Sequence, residues 1–497
     1  MTRWLGNFTL KPDLEVSGEL VFAGAGTALS LHSQHQFEID EIPSRYITGV
    51  LQDTTKVSLL DCVPINWSSH SNLSTHKYTE GKLFPHFVIR GNRYLRPAVR
   101  SILSVEFTID DAPTLFCDFD AFGMVRPTEF SMVLKKKFIE RHFKYEARGD
   151  LFYFTGKLGI ISVPTCWGVV SARHAPTVSS HFGAPSHIRD KIITSITFAE
   201  LVDFETAIYR VFTLIQFFGL VIGRPQRMKG LALHSERLGT DSDPLSVYCS
   251  YGPTRNTRYG LKRPHPADKL LDPVGRSEEF ARVLQDWLSR QASWRDARSR
   301  FSPSFQKWRQ NDINKLIASA NMFDILPASS VPPAAQLSSA LQQAKLDARA
   351  IFKTLPDSPE RSSMLNAIGR IGKLTLKQKV RFRAQPIIDA CPENFPHLIV
   401  ILDQAINCRN FFVHGGIPPF SYSENKFAIT FFIDTLLFVF GVSDLIQAGW
   451  DFRSWVHSLS AKSHPFGAYK ADYSQVMEQL MTLIVKAGDT VDDPVIQ

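Results

Sequence analysis

The spacing of apolar residues changes along this chain, and that change constrains the fold more than any other feature. Up to about residue 200 the apolar residues come in short runs: ELVFAG, ALSLHS, YITGVLQ, KVSLLDCV, HFVIRG and LSVEFTID, then LFYFTGKLGI and ITSITFA. These runs are rich in β-branched and aromatic residues and are separated by Gly, Pro, Asp and Asn, the pattern of strands joined by tight turns. They predict a sandwich or a barrel. LVDFETAIYRVFTLIQFFGLVIG (201–223) interrupts the pattern with helical length and period before RPQ stops it, and GLALHS and SVYCSYG read as returning strands. From Ser277 the period is helical: SEEFARVLQDWLSRQASWRDARSRF, NDINKLIASANMFDIL, AAQLSSALQQAKLDARAIFKTL, HLIVILDQAINCRNFFVH and ENKFAITFFIDTLLFVFGVSDLIQ each have the length and spacing of a helix. The expected class is α+β and multidomain. A β-rich domain with an inserted helix (1–270) is followed by an all-α bundle (277–497), and the Pro-containing stretch at roughly 260–276 serves as linker.

Composition bounds the function. With 497 residues, 44% of them apolar and 11% aromatic, the chain can bury the cores of two or three domains, which excludes a disordered protein. A formal net charge of +8 suits a polyanionic partner, but the two signs are interspersed and a solvated surface explains the excess equally well. Cysteines 62, 117, 166, 249, 391 and 408 form no CxxC pair and no Cys/His zinc spacing. Reduced, mostly buried thiols in the cytoplasm are expected, with no metal and no cofactor. The N-terminus lacks the apolar core of a signal peptide. FAITFFIDTLLFVFGV (427–442) is shorter than a bilayer-spanning helix and carries Asp434, so it reads as a core helix, and no membrane partner is expected.

The segment with chemistry is INCRNFFVHGG (406–416). Stepping along the preceding helix by three and four gives Leu398, Leu402, Ala405, Ile406 and then Arg409, which puts a guanidinium on the stripe that faces a core. Such a charge needs a partner or a task. At 3.6 residues per turn Asp403, Asn407, Asn410 and His414 form one polar line, with Arg409 about 100° round from Asn410. Gly415 and Gly416 then allow a left-handed exit. A guanidinium, an amide and an imidazole gathered at a helix end suit metal-independent RNA cleavage, in which a 2′-hydroxyl attacks the adjacent phosphorus. The imidazole moves the proton, and the guanidinium offers planar, permanently charged donors to the phosphate.

RNFFVHGG in a helical domain resembles the arginine, Asn, three residues, histidine motif of the HEPN superfamily of helical bundles, many of them ribonucleases. GNFTLKPDLEVSGELVF and ITGVLQDTTKVSLLDC are similar to the opening of the ApeA family of bacterial anti-phage proteins, in which a β-rich domain precedes a HEPN domain. SANMFDILP and GKLTLKQKVRF resemble stretches upstream of the motif in that family. The resemblance implies an abortive-infection nuclease that cleaves host RNA, with tRNA the substrate class. It further implies a homodimer that faces two sites together, and regulation by an N-terminal domain that responds to a phage-derived trigger. Carried over, Arg409 contacts the scissile phosphate, His414 is the acid/base group and Asn410 orients. Asp403 and Asn407 are substrate-binding candidates from the helical wheel alone.

Blander readings stand beside these. Arg409 can be paired with an acid while His414 satisfies last-turn carbonyls, and the whole bundle can be a non-catalytic scaffold that binds nucleic acid or a nucleotide. Arg227 and His234 repeat the loose spacing on a segment with no helical pattern. His174, His181 and His187 read as a surface loop rather than a metal site. Asp118 and Asp120 read as a polar strand edge. The basic run 134–144 reads as a solvated face, and HPFGAY (464–469) as either a packed or a functional turn.

Overall fold

The computed structural model describes residues 2–34, 46–71, 77–118, 120–125, 151–179, 187–235, 243–250, 264–307, 311–333, 336–459 and 462–489. The basic run 134–144 and His181 lie outside them. The chain divides into a unit over Met1–Ala281 and a unit over Arg282–Gln497. The first is β-rich and the second helical, which is the expected α+β layout.

Six antiparallel strands open the first unit: β1 (Thr2–Lys11), β2 (Leu14–Phe22), β3 (Ala28–Ser33), β4 (Ile47–Leu51), β5 (Lys56–Ser71) and β6 (Lys77–Gly91). Their pairings run β1–β2–β3–β6–β5–β4 and return to β1, so they close a barrel. The period of two sends Phe8, Val16, Leu20, Leu29, Leu31, Ile47, Leu51, Val57 and Leu59 into one core. Two glycines make room in it. Phe8 lies opposite Gly49 and Trp67 opposite Gly81 in the strand register. A Cβ at Gly49 would sit 2.6 Å from the Phe8 ring, and one at Gly81 only 2.1 Å from the Trp67 ring.

A second sheet joins the barrel through β6. Its order is β10 (Gly159–Thr165), β11 (Gly168–His174), β14 (Ile192–Val202), β7 (Ile102–Ile109), β15 (Met228–Ser235), β16 (Leu245–Cys249) and then β6. Along one edge of β6, residues 79–83 pair with β3 and residues 87–90 with β16, so a single strand belongs to both sheets. Two ribbons stand apart, β8 (Phe122–Val125) with β9 (Leu151–Phe154) and β12 (Thr177–Ser179) with β13 (His187–Arg189). After a single helical turn, α1 (Ala112–Leu115), the inserted helix is α2 (Phe204–Ile222), lying on β7 and β14. Asp203 caps its first turn by accepting from the Thr206 N–H at 2.8 Å, and Gly223, at φ 92°, ends it.

The helical unit begins with α3 (Ser277–Ser289), the helix inside which the two units divide, and α4 (Gln291–Gln306). The sequence predicts one helix here; the structure breaks it at Arg290, whose side chain reaches Asp286 and Asp444. Then follow α5 (Ile313–Asn321), α6 (Ser339–Thr354), α7 (Pro359–Arg370), α8 (Leu376–Ala390), α9 (Leu398–His414), α10 (Lys426–Gln447), α11 (Phe452–His457) and α12 (Pro465–Asp489). HPFGAY opens α12, where His464 is buried and its Nδ1 accepts from the Phe466 N–H at 3.0 Å.

Helix α10 is mostly apolar and, Asp434 apart, buried from Phe431 to Leu445, as suits a central core helix. It packs against α4, α5, α8, α9 and α12. At 22 residues it is longer than the sequence reading allowed, and it and α2 are both long and apolar enough to cross a bilayer. Both are mostly buried inside their own units, which explains the apolarity without a membrane.

Candidate active site

Helix α9 packs against α5, α8 and α10, and its last turns carry the arginine, the amide and the imidazole. Leu398, Ile401, Leu402, Ala405, Ile406 and Cys408 are buried, so the apolar stripe seats the helix and fixes where its polar end lies. Arg409 is half-buried. One Nη1 hydrogen is donated to Asn410 Oδ1 at 3.0 Å, and the same nitrogen lies 3.5 Å from His414 Nε2. Nη2 donates to Oδ1 of Asn321, the last residue of α5, at 2.9 Å. Nε is buried and meets no acceptor among the described residues.

Among those residues no carboxylate lies within ion-pair distance of Arg409. Two acids of these elements are already taken. Asp403 forms a two-point pair with Arg381 of α8, one arm of it Nε to Oδ1 at 2.9 Å. Asp324, just past α5, is held by Lys379 of α8, whose Nζ donates to its backbone oxygen at 2.9 Å and its Oδ1 at 3.2 Å. Arg409 is therefore oriented by two amide oxygens that carry no charge of their own.

The exit from α9 follows from the glycines. Gly415 donates to the Phe411 carbonyl at 2.9 Å, and both Gly415 and Gly416 hold positive φ, 78° and 120°. His414 thus stays exposed at the helix end. The structure brings Arg409, Asn410 and His414 together. It joins neither Asp403 nor Asn407 to them: Asp403 serves Arg381, and the Asn407 amide reaches Gln404 Oε1 at 3.5 Å. Sequence reasoning missed Asn321, Lys379 and Arg381. The first lies in SANMFDILP and the others in GKLTLKQKVRF, stretches singled out for their resemblance but not for any residue in them.

The other candidates in the first unit lie beside charged neighbours. Arg227 donates to Asp110 at 3.1 Å, and His234 Nε2 lies 3.9 Å from Glu106, so the two residues of the loose repeat of the spacing face different acids. His174 is not on a surface loop: it is buried at the end of β11, with Nδ1 2.7 Å from Asp190 and Nε2 3.8 Å from Asp118. Asp118 lies in no strand, and Lys157 pairs with it at 2.8 Å. Burial alone would raise the Asp118 carboxyl, but Lys157 and the Asp120 N–H outweigh it and hold it below its ordinary value. Among the described residues no group of three or more His, Cys, Asp or Glu is placed to hold a metal ion.

The family model for ApeA N-terminal domain 1 matches residues 3–287, more than half of the chain. The chain belongs to the ApeA family. That places it among anti-phage defence proteins, with the matched domain covering the barrel, the second sheet and α2. No curated protein and no solved structure matches this ApeA-family chain.

Proposed function

We propose that this ApeA-family protein is a metal-independent endoribonuclease of the HEPN type that cleaves host RNA, with tRNA as substrate class, during phage infection. The observation that carries the reading is Arg409: a guanidinium with no acid partner among the described residues, fixed beside an imidazole and an amide at an exposed helix end. In the reaction a ribose 2′-hydroxyl attacks the neighbouring phosphorus and the 5′-oxygen leaves, giving a 2′,3′-cyclic phosphate. Arg409 donates to the phosphate oxygens on which charge grows. His414 removes the hydroxyl proton or protonates the leaving oxygen. Asn410 holds Arg409 in place. One imidazole cannot act as acid and base in the same step, so a second chain supplying its own His414 completes the site, and the active form is a homodimer. The β-rich unit restrains the nuclease until it meets a phage-derived trigger, and the reaction takes place in the cytoplasm.

Purified protein incubated with total tRNA in EDTA is expected to produce fragments with 2′,3′-cyclic phosphate ends, and His414→Ala to produce none. Cleavage that needs a divalent cation and leaves 5′-phosphates would sink the mechanism. RNA binding without cleavage would favour the other reading, a nucleic-acid-binding scaffold, for which a cation without an acid partner is equally suited.

A further inference from the structure

The partner of Arg409 on α5 is an amide where an aspartate would fit. Asn321 Oδ1 accepts from Nη2 at 2.9 Å, and Asn410 Oδ1 from Nη1 at 3.0 Å. A guanidinium has five N–H donors. Two of those on Nη1 and Nη2 go to these amides and one more points to His414, leaving Nε and one Nη2 hydrogen without an acceptor among the described residues. Two basic residues of α8 are treated differently: Lys379 meets Asp324 and Arg381 meets Asp403. Asp324 lies only three residues past Asn321, so a carboxylate stands close by in the chain while the α5 residue that touches Arg409 is an amide.

We propose that Asn321 is a positioning residue: it fixes the guanidinium of Arg409 without neutralising it, so that the charge is left for a phosphate. The inference rests on the nuclease reading for its catalytic arm and on geometry alone for its binding arm. A neutral acceptor orients the planar group through one hydrogen bond and leaves its full charge to the ligand. An aspartate at 321 would hold the same guanidinium in the same place more strongly, as an ion pair, and a phosphate would then have to compete with it.

The test uses the full chain with Asn321→Asp and Asn321→Ala, and reads unfolding temperature, binding of a 2′-O-methylated oligoribonucleotide across a salt series, and cleavage of tRNA. Asn321→Asp is expected to unfold no earlier than the parent, yet to bind the oligonucleotide about tenfold more weakly or worse, with a salt dependence shallower by about one phosphate contact. Its cleavage should fall about 100-fold. Asn321→Ala leaves the charge but frees the group, so binding should stay within about threefold of the parent while kcat drops, because a misplaced reacting group costs rate rather than affinity. Asn321→Asp that binds and cleaves like the parent overturns the proposal. So does equal loss in both variants together with a lowered unfolding temperature, which would make Asn321 merely structural. A parent that binds the oligonucleotide but cleaves nothing sinks the nuclease reading and leaves Asn321 to be judged on binding, whereas a parent that does not bind overturns both.

Discussion

Two arginine clusters in the helical unit solve the problem of a buried guanidinium in opposite ways. Around Asp444 of α10, Arg298 makes a two-point bond at 2.9 and 3.0 Å, and its Nη1 reaches the Trp287 carbonyl and Gln291, each at 2.9 Å. Arg290 adds a bond to the same carboxylate at 2.6 Å and another to Asp286. The Arg298 guanidinium carbon lies 3.7 Å from the centre of the Trp287 ring. Nearby Arg383 is fully buried, bound to Ser443 at 3.0 Å and Gln447 at 2.7 Å. Desolvation pulls it down to about 10, although Asp444 opposes the shift. Arg409 differs from Arg298 on both counts: it reaches the surface and, among the described residues, has no acid partner. The difference teaches that a guanidinium on an apolar helix face is structural when the fold encloses it with a carboxylate, and is available to a ligand when the fold orients it with neutral groups and leaves it a path to solvent.

The comparison breaks first at Asp444. Asp444→Ala would leave Arg298 as a buried, uncompensated cation and take from Arg290 one of its two carboxylates, so it is expected to cost about 3–5 kcal/mol of stability in denaturant titration; a cost below about 1 kcal/mol would put the two clusters in one class. Arg409→Ala comes next and should do the reverse. Cleavage should fall by roughly 100–1000-fold with little change in unfolding temperature, and if unfolding shifts as far as in Asp444→Ala, Arg409 is a structural residue. Acid sharpens the contrast. Burial alone would raise the Asp444 carboxyl, but Arg298 and Arg290 outweigh it and hold it below its ordinary 3.8. A carboxyl depressed in the folded state stabilises the fold above its unfolded pKa and gives that up as pH falls through its folded value. The stability gap between the parent and Asp444→Asn should therefore be full at neutral pH and shrink only below about pH 4, followed by thermal unfolding; a gap that stays constant to pH 2 would contradict the ion-pair account. The smallest effect is local. Cys408, adjacent to Arg409, is buried, and desolvation pushes its thiol up to about 12. It should resist maleimide at pH 8 in the parent and in Arg409→Ala, and become reactive in Asp444→Ala, as read by mass spectrometry.

Much of the architecture was legible because period and turn chemistry are local. ALSLHS is β3 residue for residue, and the helix expected over HLIVILDQAINCRNFFVH begins one residue late, at Leu398. What escaped depended on tertiary partners. The closure of β1 through β6 into a ring rests on pairings between distant strands, and strand β1 itself, TRWLGNFTLK, hides behind Gly6 and alternating polar residues. Helix α8 escaped because Lys377, Lys379, Arg381 and Arg383 blur its apolar face; two of those charges are spent on Asp324 and Asp403, and Arg383 is buried. At the candidate site the local spacing revealed Arg409, Asn410 and His414. Asn321 lies 88 residues away in sequence and carries no signature of its own.

The strand that serves both sheets also orders the chain in time. All six barrel strands lie within the first 91 residues, whereas β16, which completes the second sheet against β6, comes at Leu245–Cys249. A chain leaving the ribosome can close its barrel long before the rest of the unit exists. The finished barrel then presents Phe87–Arg90 as a ready-made edge, and the later strands are added to a template instead of having to find one another.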